Sequence, residues 1–295
     1  MPAKEFICPD GHHVRITECL KHCPLSERCM FLPTLKIIAQ SLNRGLTVPT
    51  VTELIAGVRE TYLKKTTEYA VNPRDVLYAL NGQAIHTLHE QNVGEHILSE
   101  VRLNDDITSG KFDLYGNLLD NESGVLGDLK VTSSYKLMKA LGIYKVRVPT
   151  GEIYKTGAKK GQPKYRFELR YDGVHHVMEW ALQLNYYRML LERHGFQVNK
   201  MYIQAICRDS GLRMAAERGI DKNLYIIPIH RISDHWLTRY FKHKASVLQD
   251  SMETNNLPKK CSCSECWHGR KCQSYCDVRS ECEAREERDL NERVG

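Results

Sequence analysis

The stretch "SGKFDLYGNLLDNESGVLGDLKVTSSYK", residues 109–136, decides how the middle of the chain is read. It holds two apolar, strand-like runs, "KFDLYG" at 111–116 and "GVLGDLKVTS" at 124–133, separated by the turn-forming "DNESG". Each run carries an acid, Asp113 and Asp128, and the second carries Lys130 two positions on. In a hairpin these runs would be neighbours, and the two carboxylates would converge. Converging carboxylates repel unless a cation lies between them, and Mg2+ prefers carboxylate and water oxygens. Side chains alternate along a strand, so Asp128 and Lys130 point to one face. A lysine beside such a metal can hold a phosphate oxygen or orient an attacking water, which is what metal-assisted phosphodiester hydrolysis needs. Alternatively, each acid belongs to a turn and the lysine to the surface.

Outward from this stretch the chain alternates helices and strands. Upstream, "LPTLKIIAQSLNRG" predicts a helix stopped by Gly45, and Pro49, Thr50 and Thr52 open a second over roughly 52–70. A third helix is expected over roughly 75–98, then a strand at "EVRL", 100–103, completing an antiparallel meander. Downstream, "HHVMEWALQLNYYRMLLERHG" predicts a helix ending at Gly195. The strands "VNKMYIQAICRD" and "KNLYIIPIHRI" follow around a short helix near 212–218, and "SDHWLTRYFKHKASVLQDSME" predicts a last helix before Pro258.

The net charge of +6 on 295 residues is unevenly spread. Residues 136–170 hold ten Lys/Arg against Glu152 and Glu168, in alternating runs that suggest an inserted β-hairpin. Such a block suits a polyanion, with Lys159, Lys160 and Lys164 as candidate DNA contacts. A solvated lysine-rich loop is the bland alternative. With 42% apolar and 26% charged residues the composition is that of a globular protein. No apolar run reaches the ~18 residues of a membrane span, and "MPAKEFICPDGHH" lacks a signal-peptide core. Cytoplasmic residence and no membrane partner are the expectation.

Three further features join the acid–acid–lysine set. His86, in "GQAIHTLHE", lies on a helix before the strands, Glu100 opens the first strand, and Gln183 and Tyr187 lie four apart on one helix face. In this order the set resembles the PD-(D/E)XK nuclease superfamily, in its RecB-like branch that includes the CRISPR-adaptation exonucleases. That pattern is a helical histidine, a G-x-x-D strand, a D/E-x-K strand and a Q-x-x-x-Y helix. His86, Gly110/Asp113, Asp128/Lys130 and Gln183/Tyr187 match it in turn, over about residues 80–230. The long basic insertion departs from it. The resemblance implies a restriction-endonuclease-like α/β fold, a mixed central sheet flanked by helices. It implies His86, Asp113, Asp128 and the Leu129 carbonyl around Mg2+ or Mn2+, Lys130 assisting the water, and Gln183 and Tyr187 steadying the lysine or a phosphate. The expected activity is that of a DNA exonuclease or end-processing nuclease. DNA ends or single strands, and recombination or CRISPR-adaptation proteins, are the expected partners. The alternative is a non-catalytic Fe–S or zinc DNA-binding accessory. A zinc hydrolase built on "HTLHEQNVGEH" ranks far below, because the H-E-x-x-H spacing is missing.

Eleven cysteines divide the chain: four at 8–29, six at 261–282, and Cys207 between. Clusters of this kind more often bind metal than form disulfides where no secretion signal is seen. They mark a head over 1–32, a nuclease-like body over 33–257 and a tail over 258–295. Cys19/Cys23/Cys29 and Cys272/Cys276/Cys282 share the spacing C-x3-C-x5-C, so each end is expected to give three ligands and take a fourth from elsewhere. Cys8 opens the knuckle-like "CPDG", and Cys263, Cys266 and Cys272 offer a C-x2-C-x5-C alternative. The family resemblance implies a [4Fe–4S] cluster joining the ends, with Cys23 or Cys29 completing the tail triplet. Thiolates suit Zn2+ equally. Such a clasp would close a very long loop and couple metal binding to folding.

Overall fold

The computed structural model describes residues 3–42, 48–120, 122–173 and 177–294, in a mixed α/β arrangement. At its centre a five-stranded sheet runs in the order Leu224–Pro228, Lys200–Cys207, Val125–Thr132, Leu114–Gly116, Ile97–Ser99. Only the Lys200–Cys207 and Val125–Thr132 pair is parallel; the other neighbours are antiparallel. The sheet is therefore mixed; its edge strand is Ile97–Ser99, while the strand expected at 100–103 is met only in part by Arg102–Asn104, in a separate two-stranded ladder. Val125–Thr132 occupies the middle and is buried along most of its length, as its apolar run demands.

The registers set up the interior. Leu114 pairs with Gly127, so one step further Asp113 falls opposite Asp128. The run expected over 111–116 is not one strand. Its hairpin consists of two ladders, Ile97–Ser99 with Leu114–Gly116 and Arg102–Asn104 with Ser109–Lys111. They meet at a hinge where Glu100 takes a left-handed φ of 56°. The hinge is held by Glu100 N–H donating to Asp113 O at 3.0 Å and Phe112 N–H to Val101 O at 3.2 Å.

Helix Met178–Arg193 follows the basic insertion and returns the chain to the sheet; Leu182, Leu184, Tyr186, Tyr187, Leu190 and Leu191 are all buried. The amphipathic helix Asp234–Thr254 packs on it, with Tyr186 and Phe241 ring centroids 4.3 Å apart. Arg188 is fully buried between them and is tied to Glu192 at 2.7 Å, to Asp234, and to Ile232 O at 3.3 Å. The helix expected over 52–70 is two, Val51–Ala56 and Val58–Thr66, because Gly57 adopts φ 130° between them. Thr50 and Glu53 form a complete capping box at the first. The third helix is Pro73–Glu90, shorter than expected because the chain turns into the edge strand Ile97–Ser99.

The head builds a three-stranded sheet, with Glu5–Ile7 between His13–Arg15 and Ala70–Val71. Its own core is small: Phe6, Cys19, Leu35 and Ile38, with Val76 and Leu80 of helix Pro73–Glu90 against it. Helix Leu32–Leu42 thus packs with the head, beyond the boundary set at residue 32. The tail is anchored on helix Val58–Thr66. Arg59 donates to Pro258 O at 2.7 Å and pairs with Glu286, while Lys271 pairs with Glu60 and reaches Ala56 O at 3.1 Å. Val278 joins the main core. Among the described residues no helix is long and apolar enough to cross a membrane.

One backbone approach is tight enough to test the hairpin. Gly116 has φ 149°, and a Cβ there would lie 2.3 Å from His96 O. Gly116→Ala should therefore destabilise the protein by at least about 2 kcal/mol, read as a shifted denaturant midpoint. An unchanged midpoint would mean that this edge is not closed as described.

Candidate active site

Four elements converge at the hinge. Helix Pro73–Glu90 brings His86, the kinked hairpin brings Glu100, Lys111 and Asp113, strand Val125–Thr132 brings Asp128 and Lys130, and helix Met178–Arg193 brings Gln183 and Tyr187. His86, Glu100 and Asp113 each aim a ligand atom so that all three lie within 4.8 Å of one another. His86 Nδ1 is 2.9 Å from Glu100 Oε1 and 3.4 Å from Asp113 Oδ1. Asp113 Oδ2 accepts from Leu129 N–H at 2.6 Å, which fixes that carboxylate against the neighbouring strand. Leu129 thus meets Asp113 through its amide, a contact that the family-based expectation for its carbonyl did not include.

Asp128 is 1% exposed and held from two sides. Gln183 Nε2 donates to its Oδ1 at 3.2 Å, and Lys130 Nζ stands 2.5 Å from its Oδ2. Beyond this ion pair Oδ2 has no hydrogen-bond partner among the described residues, so it keeps an acceptor direction to fill. Gln183 Nε2 also reaches Tyr187 OH at 3.2 Å, as their four-residue spacing requires.

The electrostatics follow from this crowding. Burial, then the facing Asp128 charge, push the Asp113 carboxyl well above its ordinary value, against the pull of Lys130 and the Leu129 amide. Burial works against the Lys130 ammonium, but Asp128 and Asp113 keep it above its ordinary value. Burial likewise opposes Glu100 ionisation, yet hydrogen bonds from Lys111 and His86 hold it below the usual carboxylate range. Tyr187 is raised by burial first and by Asp128 next. The arrangement gathers hard oxygen and imidazole donors for a divalent cation and places an ammonium beside them. Lys111 was not singled out in the sequence, and Glu100 was singled out there only as opening a strand, without a role. A left-handed glutamate has no sequence signal, since Gly and Asn are the residues that ordinarily mark φ > 0.

The other candidates fall elsewhere. Lys159, Lys160 and Lys164 lie at the far end of a hairpin formed by Ile143–Ile153 and Pro163–Tyr171, where Lys164 is paired with Glu152 at 3.0 Å. Of the "HTLHEQNVGEH" histidines only His86 joins the acids; His89 Nδ1 is bonded to Ile85 O at 2.9 Å on its own helix.

The cysteines of the head are gathered at one place. Cys8, Cys19, Cys23 and Cys29 line one small cavity with Leu35, and no tail residue lines it. Burial, then Asp10 and after it Cys29 and Cys23, raises the Cys8 thiol; burial, then Cys8, Cys29 and Cys23, raises that of Cys19. The head thus brings four cysteines to one cavity, because the strand Glu5–Ile7 delivers Cys8 beside the triplet. In the tail, Cys276 and Cys282 both pack against the main core. Cys272 is raised by burial and then by Cys266 and Cys282, so these three are neighbours. Cys276 turns inward to Glu60, and burial first and that charge next push its thiol up to about 11. Cys282 Sγ accepts from Arg59 at 3.5 Å, Cys263 is exposed, and Cys261 packs against Gly57.

Gly110 sits under the Tyr187 ring, where a Cβ would meet ring carbons at 2.6 and 2.8 Å. Gly110→Ala should cost about 1–3 kcal/mol by overpacking and displace the tyrosine. Gly82→Ala, mid-helix with nothing within 4 Å, should instead gain up to about 1 kcal/mol. Thermal or denaturant melts of the pair check both signs.

A scan against protein-family models and a search of curated proteins returned no match to this chain.

Proposed function

We propose that this chain is a divalent-metal-dependent deoxyribonuclease with a restriction-endonuclease-like core, acting on DNA ends. The observation that carries it is the His86–Glu100–Asp113 cluster, with Asp128 and Lys130 on the adjoining strand. The donor set fits Mg2+ or Mn2+: three carboxylates and an imidazole face only two ammonium groups, and Asp128 Oδ2 keeps an open acceptor direction. His86, Glu100 or Asp113, and Asp128 would hold the ion. When bound, such an ion supplies Lewis-acid polarisation of a phosphate oxygen and a more acidic water. The chain's own groups do the rest. Lys130 is anchored by Asp128 so that its ammonium stays at the site, where it can orient a water or hold a phosphate oxygen. Gln183 fixes Asp128 from behind, and Tyr187 fixes Gln183.

Asp113→Ala and Asp128→Ala should each lower Mn2+-dependent degradation of end-labelled DNA about a thousandfold, matching the several kcal/mol that such an arrangement supplies. Glu100→Gln should weaken Mn2+ binding by about ten- to a hundredfold in calorimetry. Undiminished cleavage by the aspartate variants would sink the assignment. Wild-type protein that binds DNA but cleaves none with either metal would be the accessory protein instead.

We further infer that the head is a self-contained four-thiolate metal centre, Cys8, Cys19, Cys23 and Cys29, holding zinc or an iron–sulfur cluster. Four thiols around one cavity in a unit whose core is only Phe6, Cys19, Leu35 and Ile38 supports this, since so small a core needs a staple. Metal analysis of anaerobically purified protein should show that Cys8→Ser/Cys29→Ser loses this metal, while Cys272→Ser/Cys282→Ser retains it. Brown colour and equimolar iron and sulfide would mark the cluster, and zinc without colour the ion. Metal lost equally in both variants would favour the clasp.

A further inference from the structure

The hairpin Ile143–Ile153/Pro163–Tyr171 has two chemically different faces, because residues paired across an antiparallel ladder share a face. One face carries Arg166, Glu168 and Arg170 opposite Val148, Val146 and Tyr144. There Glu168 neutralises both arginines, at 2.7 and 3.0 Å. The other face carries Tyr165, Phe167, Leu169 and Tyr171 opposite Pro149, Arg147, Lys145 and Ile143.

That second face is not a core left half-built. Leu169 and Ile143 at its root pack near Gly219 of the body, but Phe167 is 70% and Tyr171 71% exposed. The Arg147 guanidinium lies 3.7 Å from the centroid of the Tyr165 ring. Neither Arg147 nor Lys145 is paired with a carboxylate among the described residues. Rings and unpaired cations thus alternate along one exposed ladder, in a block with ten Lys/Arg against two acids. Flat rings offer stacking surfaces to unpaired bases, and interleaved cations track a phosphate backbone; duplex DNA exposes its phosphates but keeps its bases stacked inside.

We propose that this face is a stacking platform for single-stranded DNA, with Phe167 and Tyr165 as base-stacking residues and Lys145 and Arg147 as phosphate contacts. This rests on the nuclease reading for the choice of DNA and deepens it, by naming the unpaired strand as the substrate form the protein holds. The hairpin leaves strand Val125–Thr132 through the short helix Ser134–Ala140 and its chain leads on to helix Met178–Arg193. A strand held there is carried by the same two elements that supply Lys130 and Gln183.

The test is a titration with fluorescent oligo-dT and a blunt duplex of equal length, in chelator so that cleavage plays no part. Phe167→Ala and Tyr165→Ala should each weaken oligo-dT binding about tenfold and leave duplex binding within about twofold. Phe167→Trp should keep oligo-dT affinity, and Lys145→Ala should weaken both DNAs and flatten the salt dependence. Equal losses on both DNAs, or no loss on oligo-dT, would overturn the platform. So would wild-type protein that self-associates in sedimentation and becomes monomeric as Phe167→Ala, because the face would then be an interface between copies. Unchanged binding alongside loss of cleavage in Asp113→Ala removes this inference alone; wild-type binding to neither DNA removes the nuclease reading with it.

Discussion

Two carboxylates, Asp113 and Asp128, face each other across adjoining antiparallel strands inside the protein, and much of the surrounding structure answers their repulsion. Leaving one such charge unpaired in an interior costs several kcal/mol. The chain meets that cost with specific neighbours. The Leu129 amide and His86 take Asp113, while Lys130 and Gln183 take Asp128. The hairpin bends at this point, and Glu100 accepts a left-handed backbone that glutamate otherwise avoids, repaid by its bonds to His86 and Lys111. Strain and charge are concentrated in one place, which is where function is ordinarily found.

How much of this was legible follows from which rule each residue obeys. Asp128 and Lys130 share a face because strands alternate, and Gln183 and Tyr187 because helices turn every 3.6 residues, so both pairs could be read from spacing. The basic hairpin followed from the same strand periodicity, whereas the mixed sheet was what the family resemblance implied. Glu100 could not be assigned, because its role depends on a backbone kink that no residue type announces. Gly110 was visible as a motif letter, but its reason is the Tyr187 ring lying on it. Equal spacings at the two ends suggested equal, incomplete triplets, whereas Cys8 reaches the head group by a strand pairing (Phe6 with Val71) that spacing cannot express. In the tail, Cys276 and Cys282 are packed against the main core, to which Val278 belongs.

Helix Pro73–Glu90 belongs to both the head and the candidate active site. Val76 and Leu80 face the small head core, and His86 faces the acids. At 1.5 Å per residue, Val76 and His86 are about 15 Å apart along one rigid rod. Whatever holds the head together therefore also sets where the histidine stands.

The basic hairpin begins and ends at one point. Ile143 pairs with Tyr171, and Asp172 N–H donates to Gly142 O at 3.1 Å. A segment whose two ends are already joined is a cassette: its far end can gain or lose residues without moving the sheet, since the entropy of closing a longer loop rises only slowly with length. The strand and helix of the candidate site on either side are thereby insulated from change in the segment between them. Divergence in what the hairpin meets can proceed there while the buried cluster stays fixed.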